Sequence, residues 1–528
     1  MPVSDAVAFA LAALAVVVLA RRLAEVLHVP SAVLLAVGGS AYALLPGPNI
    51  TLSPDVVLSV IIPPLLYNAA LEASLLEMRR HVRPIISLSV GLVVATSLAV
   101  GATLPLVVGG LGFAAAAALG AAVAPPDPVA ALSIGRRVGL PTRLITVIEG
   151  EGLLNDATAL TLLQVAVAAA LGRHFSMAGV AGDLVLAAVG GAAVGAAVAL
   201  LLGWLRFLRE DALLLNAVSL GTPFLAYAVG DRLHVSGVLA VVVAGLIAGH
   251  RAARTENSSG RLQVTAFWRL IGFLLEGLVF LLIGQAMPDV VRALRQYPPG
   301  MVLSATVLTL AVVLLIRPGW LAIGQLLPRR FGLTPGDGDS RRFSVADLTV
   351  LSWSGTRGVI TLAAAYSLPL DVPRRDLLLY LAFLVVAVTL VAQGLTFGAL
   401  ARRLGVQASA ADGVRQRNEA RLAAVDAALD RLDELDEVSD PVAEGLRTAL
   451  HERQRRYQHR LDVLGDPEDG QDEVSEEYAA AVDARRAIID VQREELLRWR
   501  SSGRLTEPDL RRLQRELDHE ESQLPDHS

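Results

Sequence analysis

Glu149-Gly150-Glu151-Gly152-Leu153-Leu154-Asn155-Asp156 sets three carboxylates inside a strongly apolar segment running from about Leu140 to Leu171. That segment is long enough to cross the roughly 30 Å of a bilayer's hydrocarbon as one helix. Asp156 falls near its middle, close to the midplane. A charge at that depth is expensive and is kept where a proton or cation pathway needs it.

Apolar runs of about 20 residues, the length of a membrane-crossing helix, recur from the N-terminus to about Leu400. The 528-residue chain is 54% hydrophobic. The expected class is an all-α polytopic membrane protein. We place roughly thirteen spans at 6–27, 31–45, 53–71, 84–109, 111–134, 141–171, 177–205, 212–230, 235–250, 264–288, 299–326, 345–367 and 376–401. The first run lacks a basic leader and a small-residue cleavage site, so it reads as a retained span. There is no cysteine, which excludes disulfides, thiol catalysis and thiolate metal sites. No nucleophile–base arrangement, phosphate loop or metal spacing is visible, so neither an enzyme nor a resident cofactor is expected. Nothing points to nucleic acid.

The net charge of -5 hides a split. Residues 404–528 hold 18 Arg and 30 acids, a balance of -12, whereas residues 1–403 hold 28 Arg and 21 acids, a balance of +7. Residues 1–403 are expected to form the membrane domain and 404–528 an acidic helical extension. In the latter, Leu422, Val425, Leu429, Leu432 and Leu435 recur at helical spacing, as do Leu510, Leu513 and Leu517. A break is expected around Gly465-Asp466-Pro467. With the N-terminus outside, nineteen arginines fall on cytoplasmic loops and span ends against six on outer ones. This is a positive-inside bias. It places the C-terminal region in the cytoplasm. Histidines 28, 81, 234 and 250 sit at span ends and read as interfacial.

Two spans are expected to be interrupted. Ala124-Pro125-Pro126-Asp127-Pro128-Val129-Ala130 has three prolines in four residues, which no α-helix continues through. Unwound backbone at membrane depth survives only where protein buries it or where it lines a cavity. Ser354-Gly355-Thr356-Arg357-Gly358 reads as a second break, far away in the chain. A pair of broken segments in different halves points to a midplane site. Asp156 is the candidate group for alternate binding of a proton and a cation, because a buried carboxylate keeps its proton until a cation replaces it. Asn155 beside it is neutral, so one titratable group serves, which favours one-for-one, electroneutral exchange. Glu151 lies on another face of the same helix, and Arg317 is its expected partner. Glu149 lies nearer the cytoplasmic end. Arg357 offsets helix dipoles at the second break, and Glu276 is a further buried acid.

Together these residues resemble the monovalent cation:proton antiporter-1 family, the NhaP-type sodium/proton exchangers. The matching motifs are Asp127-Pro128-Val129-Ala130, Gly150 to Ala157, Leu233-His234-Val235-Ser236-Gly237, Glu276 in its Glu-Gly-Leu-Val-Phe setting, and Gly355-Thr356-Arg357-Gly358. The resemblance implies thirteen helices in two inverted repeats, two unwound crossing helices, a homodimer and elevator-like alternating access. It makes Asp156 the ion- and proton-binding aspartate, with Asn155 and Asp127 at the site. Pro126 would offer a carbonyl, and Glu151 and Arg317 would form a structural ion pair. Many relatives carry serine at the position of Gly152 and an acid near Asn68. Their absence here leaves Na⁺ and K⁺ both open. The expected function is H⁺ exchange for Na⁺ or K⁺ across the cytoplasmic membrane, in pH and cation homeostasis. The alternative is a cation channel or ion sensor worked by the tail.

Overall fold

The computed structural model describes residues 3–27, 31–44, 56–172, 177–204, 212–255, 258–326, 343–407, 410–434, 440–465, 471–502 and 504–521. Every regular element among them is helical. The chain forms two compact units, Met1–Ala408 and Ser409–Ser528.

In the first unit the helices are α1 (Val3–Leu27), α2 (Ser31–Tyr42), α3 (Val57–Glu72), α4 (Leu75–Arg80) and α5 (Val82–Leu106). Then come α6 (Phe113–Val123), α7 (Pro128–Val138), α8 (Thr142–Ala170), α9 (Met177–Trp204), α10 (Ala212–Arg232) and α11 (Gly237–Thr255). The last are α12 (Ser258–Ala293), α13 (Pro299–Leu326), α14 (Val345–Trp353), α15 (Val359–Tyr366) and α16 (Arg375–Arg403). Seven segments among the described residues are long and apolar enough to cross a membrane. Four more helices are apolar but shorter.

The two interruptions fall where the prolines and glycines are. Ala124–Asp127 separates α6 from α7, and Ser354–Gly358 separates α14 from α15. The predicted fifth and twelfth segments are therefore two half-helices each. Other ends move by a few residues. α12 extends well beyond 264–288, and α11 runs on to Thr255.

Packing sorts the helices into two sets. α2, α3, α10, α11 and α12 pack mainly on one another, as do α5, α6, α7, α8, α13, α15 and α16. Small residues let backbones approach. A Cβ on Gly39 would strike the Leu281 carbonyl and one on Gly284 the Ala36 carbonyl, so α2 and α12 touch backbone to backbone. Ser40 Oγ seals that crossing by donating to Gly284 O at 2.8 Å. In the other set, residues 115–123 of α6 are all buried and mostly alanine. Ser97 Oγ of α5 donates to Ala117 O at 2.9 Å.

In the second unit α17 (Ala410–Asp433) packs on α18 (Asp440–Gly465), and α19 (Gln471–Ser501) on α20 (Glu507–Glu521). Val425 and Leu432 are buried and Leu422 and Leu429 half-buried, as the stripe requires. Leu435, Asp466, Pro467 and His28 lie outside the described residues. Leu510 is buried, and Arg493 ties the second hairpin to Asp518 at 2.5 Å and Glu521 at 2.6 Å.

Candidate ion-binding site

The two breaks meet. The Asp127 N–H donates to Thr356 O at 2.7 Å, and Thr356 Oγ1 donates to Asp127 O at 2.8 Å. Each unwound stretch thus supplies the hydrogen bonds that the other lost on leaving the helix.

Charge follows the helix ends. Asp127 caps α7, its Oδ1 accepting from Val129 N at 3.0 Å, and the Val359 amide at the start of α15 is a second donor toward it. One carboxylate therefore serves two half-helix N-termini, where the dipole is positive. A Cβ on Gly358 would overlap that carboxylate, so glycine is required for the approach. Arg357 does the converse. Its Nε donates to Val123 O at the end of α6 at 2.6 Å, and its Nη1 donates to Gly355 O just past α14. Its own amide donates to Thr389 Oγ1 at 3.0 Å. A buried guanidinium thus satisfies the carbonyls where both first half-helices stop.

Glu151 and Arg317 are 1% and 2% exposed and form a bidentate pair, Nη2 to Oε2 at 2.8 Å with Nη1 on Oε1. Arg317 Nε also donates to Leu351 O at 2.8 Å, which ties α13 to the end of α14. Asn155 is fully buried. Its Nδ2 donates to Pro126 O at 3.1 Å, while its Oδ1 has no hydrogen-bond partner among the described residues. The Pro126 carbonyl therefore already holds Asn155.

Asp156 is 3% exposed. Its carboxylate makes no hydrogen bond among the described residues and lines a cavity of about 430 Å³. Asp127, Pro126, Gly152, Glu276 and Asn68 line the same space. At its other end stand Glu149, Arg136 and Glu72. Arg136 reaches Glu149 at 2.6 Å and Glu72 at 3.9 Å, and it is half exposed. Glu276 lies on α12 one turn past Phe273, over whose ring the Arg21 guanidinium sits at 5.1 Å.

The sequence-derived residues thus separate into two groups. Asp156, Asp127, Pro126, Glu276 and Glu149 share the cavity; Asn155, Glu151, Arg317 and Arg357 are not among the residues that line it. Sequence reasoning missed Arg136 as the partner of Glu149. It also missed Thr356 as the latch and Val123 as the carbonyl that Arg357 caps. The short Gly139-Leu140-Pro141 turn between α7 and α8 was the available signal for Arg136. His81 sits at the α4–α5 turn, at a span end as expected, and is buried there, with Nδ1 3.1 Å from Glu77 O. Gly152 packs closely against Pro128. A Cβ there would overlap the Pro128 ring.

The family model for the transmembrane sodium/hydrogen exchanger matches residues 9–403. This chain belongs to the sodium/hydrogen exchanger family. It is 32% identical over 530 residues to an uncharacterized Na⁺/H⁺ exchanger of Mycobacterium tuberculosis, covering 98% of this chain and 95% of that one. It is 30% identical to the sodium, potassium, lithium and rubidium/H⁺ antiporter of Bacillus subtilis, over 68% of this chain and 55% of that protein. The fold is similar to the sodium proton antiporter MjNhaP1 of Methanocaldococcus jannaschii, with a TM-score of 0.61 at 20% identity, over 76% of this chain and 99% of that one. Family membership makes it a multi-pass membrane protein of a transporter family. The mycobacterial match extends through the C-terminal unit, which the family model does not reach.

Proposed function

We propose that this protein is a secondary antiporter exchanging H⁺ for Na⁺ or K⁺ across the cytoplasmic membrane. The observation that carries this is Asp156, a buried carboxylate with no hydrogen bond of its own at the deep end of a cavity beside two broken helices. Such a group binds either a proton or a cation, and cation arrival releases the proton. One titrating acid beside a neutral asparagine gives one-for-one, electroneutral exchange.

Asp127 holds the crossing in shape at the edge of the cavity, and Glu276 and Glu149 lower the potential along the way in. Glu151 with Arg317, and Arg357 with its carbonyls, keep the scaffold rigid. The thirteen helices form two inverted repeats, and the two packed sets correspond to a moving core and a dimer-forming frame. The N-terminus lies outside. The arginine-bearing mouth at Arg136 then faces the cytoplasm, so the cavity is open inward. The acidic unit after Arg403 is cytosolic. The relatives named for sodium and for several alkali cations support both ions as substrates.

Fluorescence dequenching in everted vesicles or proteoliposomes tests this. Addition of Na⁺ or K⁺ should collapse a preset pH gradient, and Asp156→Asn should abolish the response in a folded protein. Current without coupled proton flux would instead mark a channel.

A further inference from the structure

Thr361 belongs to α15, one turn beyond Arg357, and lines the cavity shared by Asp156 and Asp127. The residue is 1% exposed, and its Oγ1 has no hydrogen-bond partner among the described residues. Several helical threonines donate to the carbonyl four residues back, although Thr306 and Thr309 of the unbroken α13 also have no partner for Oγ1 among the described residues. Here Thr96 donates to Leu92 O at 2.8 Å, Thr161 to Ala157 O at 2.8 Å and Thr389 to Val385 O at 2.8 Å. For Thr361 that carbonyl belongs to Arg357, inside the break. Gly358 is extended there, with φ -135° and ψ -152°, so no helical carbonyl lies beneath the hydroxyl. A buried hydroxyl left unpaired keeps its full desolvation penalty. The chain keeps one in the cavity that Asp156 and Asp127 line.

Other oxygens at this depth are few; Asn155 Oδ1 is also unpaired, but Asn155 does not line the cavity. Gly152 has no side chain, and a residue with a Cβ there would run into Pro128. The Pro126 carbonyl is engaged by Asn155 Nδ2. Asp127 Oδ1 is held by Val129 N. Hard monovalent cations take oxygen ligands and lose hydration only when several replace it.

We propose that Thr361 Oγ1 is a ligand of the transported cation, contributed by α15 to the cavity that Asp156 also lines, and that it helps set the preference among alkali cations. This rests on the antiport reading. The hydroxyl's lone pairs serve the ion, and when the carboxylate carries a proton instead the hydroxyl is free to accept from it. Loss of one neutral oxygen should weaken cation binding while leaving proton binding at Asp156 in place.

The test uses full-length protein in proteoliposomes, with T361V as the isosteric variant, T361S as the hydroxyl-preserving one and T361A should T361V not fold. The expected result for T361V is an apparent KM for Na⁺ or K⁺ raised about 3- to 10-fold, the scale of one lost hydrogen-bonding oxygen. Maximal rate should stay within about twofold, the Na⁺:K⁺:Li⁺ selectivity should change, and T361S should sit near wild type. Cation-dependent stabilisation in thermal unfolding should fall in parallel. An unchanged KM and selectivity in T361V would overturn the proposal, and so would equal loss in T361S, which would mark a packing role. A wild-type protein that exchanges nothing would instead sink the antiport reading. The cation-dependent Tm shift would then still decide for or against Thr361.

Discussion

Glu151 and Arg317 stand 166 residues apart in the chain and meet through both carboxylate oxygens in a fully buried pair. Neither could be left alone at that depth. Breaking such a pair from one side costs about 3–5 kcal/mol, because the survivor is an uncompensated buried charge. Glu151→Gln or Arg317→Met should therefore lower the Tm markedly in detergent-solubilised protein. The double variant should recover only part of the loss, since the Leu351 carbonyl still lacks the Arg317 Nε donor. Full recovery would mean that Arg317 does nothing for the end of α14.

Proton and cation should compete openly at Asp156. The sign follows from mass action. Below the pH at which Asp156 takes up its proton, each further unit of acidification should raise the apparent KM for the cation about tenfold, and above that pH the KM should level off. Initial rates measured against cation concentration between pH 6 and 9 or so decide it. A KM flat with pH while the maximal rate falls would place the titrating group elsewhere.

Arg357 is tested by what it caps. Arg357→Gln keeps a donor but loses the fork that serves Val123 and Gly355 at once. At least one orphaned buried carbonyl, at about 1–3 kcal/mol, should cost most of the exchange activity and several degrees of Tm. Arg357→Lys should lie between, because a single ammonium replaces a planar fork.

The mouth behaves differently. Arg136 is half exposed, so its pair with Glu149 contributes no more than about 1 kcal/mol. Arg136→Ala should leave the Tm nearly unchanged. It should lower the apparent KM for the cation at low ionic strength, since Glu149 and Glu72 then face the entrance unneutralised, and the effect should fade above about 0.15 M salt. A rise in KM would show that Arg136 opens the entrance rather than screening it.

Glycine is required where the halves touch. Gly358→Ala would drive a methyl into the Asp127 carboxylate, and Gly152→Ser would drive its Cβ into the Pro128 ring. Both should reduce exchange strongly, and Gly358→Ala should also lower the Tm. If Gly152→Ser transports normally, Pro128 has room to move and the serine of other family members is available to this chain.

Depth made part of this legible. Asp156, Asp127, Glu151 and Arg317 stood out in the sequence because charge inside an apolar run needs a reason, and three prolines in four residues can only end a helix. What stayed hidden depends on partners chosen by the backbone in three dimensions. Nothing in the composition says that Arg357 will reach the Val123 carbonyl, 234 residues away. Arg136 looked like one more charge at a span end, and only the tight turn at Gly139 brings α7 back along α8 so that it reaches Glu149. Thr361 resembled any helical threonine, and only the structure shows that its hydroxyl is unpaired and lines the cavity.

The bond from the Asp127 amide to the Thr356 carbonyl has a use as a clock. That amide can take up deuterium only when the two crossings part from each other. If the pair travels as one piece during turnover, its uptake should stay slow whether or not ions are being carried. If the halves separate in each cycle, labelling at this single backbone position should quicken in step with transport.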